Sequence, residues 1–260
     1  MRTYKLTIAY DGTNYQGWQR QSDTDRTIQG ILEETLENCI GYQVQIDGSG
    51  RTDAGVHASG QTASVVLPGK VDTALFTEKM NGCLPPDIRI LDVELVKNGF
   101  HARKSAVGKV YEYRIDTGNK QDVFTRKYSG HFPGEPDLAR MREAAGYLTG
   151  THFFAGYTDK KDNRSVRRTI YSIMIRDERK DFLPCGKSDQ IGNGNCIVIR
   201  YDGTGFLYHM VRILTGTLLE VGMRERTAES VKEALLTGDR SKAGFLAPAG
   251  GLFLREVRYE

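Results

Sequence analysis

Apolar and polar residues alternate from the start of the chain. Tyr4, Leu6, Ile8 and Tyr10 fall on one side of residues 3–10, with Lys5, Thr7 and Ala9 between them. A period of two predicts a β-strand, and Asp11-Gly12-Thr13-Asn14 predicts the turn that ends it. A polar stretch holding Tyr15, Trp18 and Arg20 runs on to Arg26. Ile28, Ile31, Leu32, Leu36 and Ile40 then recur at helical spacing behind Thr27, a suitable N-cap. Short strands are predicted over residues 43–47 and 61–67. Asp72 caps a second helix to about Leu84, where Pro85-Pro86 ends it, because proline cannot continue a helix. Residues 88–96 form the next strand. Strand, helix, strand, strand, helix, strand is the split βαβ order of a ferredoxin-like α+β sandwich.

The second half repeats this order. Residues 109–115 alternate as a strand, and Asp137 caps a helix carrying Leu138, Met141, Ala145 and Leu148, with Gly150 as its stop. Strands are predicted over 166–176 and 195–201, helices over 206–221 and 228–237 with Gly222 and Gly238 as stops, and a closing strand over 252–259. The polar piece 179–195 holds three glycines and predicts a long surface loop. Ile8-Ala9-Tyr10-Asp11-Gly12-Thr13-Asn14-Tyr15 is echoed by Ile199-Arg200-Tyr201-Asp202-Gly203-Thr204-Gly205-Phe206, each at a strand end. With the shared element order, the echo favours duplication of one α/β unit. The expected halves are residues 1–102 and 103–260, parted within 98–108, and two such units side by side create a cleft where ligands bind.

Composition changes little in this picture. The 260 residues suffice for a core without staples. A net charge of +3 announces no nucleic-acid binder, so any basic surface must come from local clustering. Cys39, Cys83, Cys185 and Cys196 include no C-x-x-C pair, and no His/Cys cluster has zinc-site spacing. The N-terminus lacks the apolar core of a secretion signal, and no apolar run approaches a membrane span, so a cytoplasmic location is expected.

The chemistry concentrates in residues 48–60, where Gly48, Gly50, Gly55 and Gly60 surround Arg51, Asp53 and His57. Glycines at this density free the backbone for φ > 0 and for close approach to a ligand. Asp53 reads either as an Asx-turn residue or as a reactive carboxylate. No G-K-[ST] follows at P-loop spacing, which disfavours a phosphate-cradling nucleotide site. Arg212 lies among Met210, Val211, Leu214, Leu218 and Val221, either snorkelling at the edge of that stripe or pairing with a carboxylate. Tyr111 and Tyr113 share one side of a strand, as core residues or as a platform for a flat base. Trp18, Arg20, Arg103, Lys160, Lys161, Arg164, Arg167 and Arg168 are candidates for a phosphate-binding rim, against the alternative of solvated surface.

Together these residues resemble the tRNA pseudouridine synthase A family over nearly the whole chain. The resemblance rests on YDGTNYQGWQRQ with TIQGILEETL, on GSGRTDAGVHASGQ, and on FHARKSA, KVYEYRI, GFLYHMVRILTG and APAGGLFLREVRY, all in order. The departures are the long 179–195 loop and Lys109, where arginine is frequent. The resemblance implies two pseudo-symmetric ferredoxin-like halves sharing a continuous, mixed and mainly antiparallel sheet with a central cleft. It implies a homodimer that binds tRNA across both subunits. The implied reaction isomerises uridine to pseudouridine at positions 38 to 40 of the anticodon stem-loop, without metal or cofactor. Asp53 matches the essential aspartate, Arg212 its charge partner, Tyr111 the tyrosine that stacks on the flipped uracil, and Arg51 a residue that helps extrude the base. His57 is implied only as a support of the loop. Two other readings stand beside this one. An RNA-binding module of the RRM type fits the fold but lacks an RNP1-like run. A small-molecule hydrolase or lyase would use Asp53 and His57 as an acid–base pair.

Overall fold

The computed structural model describes residues 1–160, 165–179 and 196–260. Lys161, Arg164 and residues 180–195 of the predicted surface loop lie outside the described residues. The chain divides into two compact units, Met1–Gly108 with Phe253–Glu260, and Lys109–Leu252.

In the first unit, the alternating stretch is strand β1 (Arg2–Tyr10), and its inward residues Tyr4, Leu6, Ile8 and Tyr10 are buried. Helix α1 (Ile28–Ile40) starts at Thr27, whose side chain accepts from the Gly30 N–H, and stops at Gly41 with φ 84°. Strands β2 (Ile46–Gly48) and β3 (His57–Leu67) flank the glycine-rich loop. Asp72 accepts from the Ala74 and Leu75 N–H groups to start α2 (Thr73–Cys83), which leads to β4 (Ile88–Val96). The strand order is β4-β1-β3-β2, with each pairing antiparallel. This is the split βαβ arrangement: β3 lies between β1 and β2, and an α-helix connects those two. The final strand β10 (Leu252–Tyr259), read from sequence as the close of the second half, pairs parallel with β3 at Phe253–His57 and Leu254–Ala58.

The second unit runs β5 (Ala106–Asp116), β6 (Gly130–His131), α3 (Leu138–Leu148), β7 (Gly150–Phe153), β8 (Arg167–Asp177), β9 (Cys196–Gly203), α4 (Met210–Gly222) and α5 (Val231–Thr237). The order β5-β9-β8-β7 is antiparallel throughout, and β6 adds to β5 in parallel. The fold is therefore α+β, with mixed and mainly antiparallel pairing. The sequence echo has a structural counterpart. Tyr10 ends β1 and Tyr201 lies near the end of β9, and each buried hydroxyl lies 2.8 Å from a threonine hydroxyl, Thr52 and Thr215.

Three expected features differ. Helix α4 begins at Met210 rather than 206, because His209 adopts φ 61° and breaks helical geometry before it. Gly222 ends α4 from within: a Cβ there would come within 2.8 Å of Met141 on α3, so its smallness serves packing. Gly150 likewise opens β7 at φ 108° rather than capping α3.

Two helical glycines should respond oppositely to the same substitution. Gly146 on α3 has nothing within 4 Å of an added Cβ. Gly146→Ala should stabilise the protein by about 0.5–1 kcal/mol through helix propensity. On α4, a Cβ at Gly216 would lie 2.0 Å from the Phe245 carbonyl oxygen. Gly216→Ala should cost about 1–3 kcal/mol as overpacking. Urea unfolding of both variants checks the signs.

Candidate active site

Residues 49–56 leave β2 and enter β3 without a strand ladder of their own, so their backbone groups need other partners. Two buried side chains, Gln61 and Tyr10, meet one backbone carbonyl and two loop hydroxyls. Gln61 on β3 accepts from the Ser49 hydroxyl at 2.7 Å and donates to the Gly50 carbonyl at 3.2 Å. The Tyr10 hydroxyl meets Thr52 Oγ1 at 2.8 Å and takes a longer contact, 3.5 Å, from Gln61. Burial pushes the Tyr10 phenol up, against these hydrogen bonds, which keeps its proton in place.

The segment 11–18 braces the other side. Trp18 N–H donates to the Thr52 carbonyl at 3.1 Å, and Gly55 N–H to the Tyr15 carbonyl at 3.3 Å. A Cβ on Gly12 would lie 2.0 Å from the Val56 carbonyl oxygen, and one on Gly17 would lie 2.7 Å from the Thr52 oxygen. Only glycine permits these backbones to touch. Trp18 was expected on an RNA-contacting rim, but it is 2% exposed. Its indole lies where a Gly48 side chain would be, 2.4 Å from the position of that Cβ. Its described role is therefore to support the loop from beneath.

Held this way, the loop turns at Asp53-Ala54-Gly55-Val56. The Val56 N–H donates to the Asp53 carbonyl at 3.2 Å, and Gly55 supplies φ 77° at the third position. Asp53 is half-buried at this turn and Arg51 is exposed two residues earlier. Arg51 Nε donates to Gln19 Oε1 at 3.0 Å. Gln19 donates to Gln29 at 2.7 Å, and Gln29 donates to Glu33 at 2.9 Å and to the Ile46 carbonyl at 3.1 Å. Glu33 also accepts from Ile46 N–H at 3.0 Å, and Arg20 reaches its second oxygen at 3.1 Å. The chain of amides thus ties an exposed guanidinium to the buried face of α1.

His57 lies at the base of the loop, 1% exposed and stacked on Phe253 at 4.7 Å. Its Nδ1 accepts from Gly12 N–H at 3.0 Å. Asp11 Oδ1 is 3.1 Å from the same nitrogen. Asp11 Oδ1 also takes the Thr13 N–H at 2.9 Å and the Thr13 hydroxyl at 2.5 Å.

In the second unit, β5 separates the two candidate tyrosines. Tyr113 is core: its ring abuts Gly130 and Gly251, and its hydroxyl donates to the Pro248 carbonyl at 2.8 Å. Tyr111 lies opposite Tyr201, 8% exposed, with Phe206 edge-on to its ring at 5.4 Å. Arg212 Nε donates to the Ala247 carbonyl at 2.7 Å, and Ala247 N–H returns to the Arg212 carbonyl at 3.3 Å. The Nε bond orients the guanidinium toward residue 247. Burial pushes the Tyr113 phenol up, and the nearby Arg212 charge opposes it.

Of the remaining rim candidates, Arg103, Lys160 and Arg167 are exposed, and Arg20 keeps most of its side chain in solvent. Arg168 folds back onto the Ser165 and Arg167 carbonyls at 2.8 and 2.7 Å. The supports Gln61, Gln19, Gln29 and Glu33 were missed in the sequence. Their signal was available: Gln29 and Glu33 are polar residues one turn apart beside α1's apolar positions, and Gln61 opens the predicted strand 61–67. Among the described residues, no group of three or more His, Cys, Asp or Glu could hold a metal ion, and no helix is long and apolar enough to cross a membrane.

The profile of a family described as tRNA pseudouridine synthase matches residues 6–103 and 144–260. Proteins named tRNA pseudouridine synthase A are 41% identical in Lacticaseibacillus casei and in Bacillus sp. strain KSM-64, and 39% identical in Thermotoga neapolitana. Each alignment covers 100% of this chain and 100% of the relative. The chain belongs to the tRNA pseudouridine synthase family, whose members are isomerases acting on tRNA.

Proposed function

We propose that this protein converts uridine to pseudouridine at positions 38, 39 and 40 of the tRNA anticodon stem-loop, in the cytoplasm and as a homodimer, with Asp53 as the catalytic carboxylate. The observation that carries this reading is the clamped loop, which presents Asp53 at a turn beside an exposed, oriented Arg51. Isomerisation breaks the N1–C1′ bond, turns the base and joins C5 to C1′. The target must first leave the base stack, at a cost of a few kcal/mol. Arg51 is suited to offset part of that cost on the RNA backbone, because its guanidinium is already oriented by Gln19.

Tyr111 is assigned to stacking on the displaced uracil and to assisting loss of the C5 proton. Arg212 is assigned the counter-charge that holds the reacting carboxylate. A rotating and re-attaching base needs no electron sink, so the carboxylate and these side chains suffice for the steps named. Arg20, Arg103, Lys160, Lys161, Arg164, Arg167 and Arg168 are assigned to the phosphate-binding rim, with Trp18 supporting the loop beneath.

Two measurements test the reading. Unmodified tRNA transcripts incubated with the purified protein should gain pseudouridine at positions 38–40 where uridine is present. Transcripts with cytidine at those positions should gain none; modification elsewhere in the tRNA would contradict the assignment of site. Affinity for tRNA should fall steeply with rising salt, by about 10³-fold or more between 50 and 200 mM if some six phosphates are contacted. A flat salt response would remove the basic rim.

A further inference from the structure

Outside the groups used above, one aromatic pair is built at evident cost. Tyr208 and His209 precede α4, and their rings stack with centroids 3.7 Å apart and planes 25° apart. The stack requires His209 at φ 61°, one of two non-glycine residues with positive φ among those described. A histidine in the left-handed region is strained, and such strain persists only where surrounding contacts impose it.

Those contacts are present. His209 Nδ1 is 2.7 Å from Asp159 Oδ2. Arg240 Nε donates to Asp159 Oδ1 at 2.7 Å, and Arg240 is itself fixed on the Gly244 carbonyl at 2.8 Å. Thr158 Oγ1 donates to the Tyr208 carbonyl at 2.9 Å. Burial alone would raise the Asp159 carboxyl, but hydrogen bonds and charge from His209 and Arg240 hold it below the usual range. Asp159, itself held by Arg240 from a second segment, thus fixes the imidazole, which in turn stacks on the tyrosine ring. The His209 side chain is 14% exposed, whereas Tyr208 is 51% exposed. Residues that are immobilised at the base and open at the top make a platform. Exposed tyrosine in soluble proteins is ordinarily free to move, so this rigidity needs a use.

We propose that Tyr208 is a stacking platform for an unpaired nucleotide of the tRNA, held in place by His209, Asp159 and Arg240. Aromatic rings stack on any base through its π-face, and pre-ordering the ring lowers the entropy lost on binding. Lys160 follows Asp159 directly and is exposed, which places a cation beside the platform in the chain for the adjoining phosphate. The inference rests on tRNA being the substrate, as the family assignment gives, and not on Asp53 or on positions 38–40.

The test is direct binding of unmodified tRNA transcript to the full-length protein at fixed salt. Tyr208→Ala should weaken affinity about tenfold, while Tyr208→Phe and Tyr208→Trp should bind within about twofold of wild type, since a ring is what stacking needs. His209→Asn, which tolerates the same backbone angle but removes the supporting ring, should weaken binding less than Tyr208→Ala. Wild-type affinity of Tyr208→Ala would overturn the proposal and leave the platform to a protein partner. Equal losses in Tyr208→Ala and Tyr208→Phe would also overturn it, by moving the contact to the hydroxyl. Circular dichroism and thermal unfolding of each variant establish that it is folded. If wild type binds tRNA but does not modify positions 38–40, the site assignment fails while the platform is still tested.

Discussion

Residues 50–56 lie outside the strand ladders, and the groups packed around them hold the loop in one path. An unpaired buried amide or carbonyl costs more than a typical hydrogen bond contributes, so a loop at this depth persists only when its polar groups are met individually. Gln61 and Tyr10 meet the first part from beneath, and the backbone of residues 12–18 meets the second from the side. Gly12 against Val56 and Gly48 against Trp18 are the points where no side chain can intervene. The product is a fixed turn that carries Asp53, on a loop positioned by strands at both ends.

The same economy appears at Arg51 and at Arg212. Neither guanidinium is left to find its orientation on binding. Arg51 is tied through Gln19 and Gln29 to Glu33, and Arg212 is tied to residue 247 by a reciprocal pair of bonds. A long side chain held in advance loses less entropy when it engages a ligand. For the proposed reaction, in which an extruded base is held while it turns, such pre-organisation suits the chemistry better than a flexible site.

Local signals were legible in the sequence. Thr27, Asp72 and Asp137 start helices as expected, because an N-cap depends on a hydrogen bond within three residues. The RTDAGVHA run pointed to the loop, although Asp53 by itself read equally as a turn former. Non-local features were not legible. Trp18 sits among polar residues and reads as surface, yet it is buried because Gly48, thirty positions on, makes room for it. The pairing of β10 with β3 joins residues about two hundred positions apart, and no local pattern encodes that. The start of α4 was placed four residues early because Phe206 to His209 carry no helix breaker; the φ of His209 is imposed by Asp159 and Arg240 from elsewhere in the chain.

The central claim is that the carboxylate of Asp53, on its clamped loop, performs the isomerisation. It is tested most directly by tritium release from tRNA labelled at C5 of uridine, comparing wild type with Asp53→Asn. The account predicts release by wild type, and none by Asp53→Asn, which still binds tRNA. Substantial release by Asp53→Asn would contradict it.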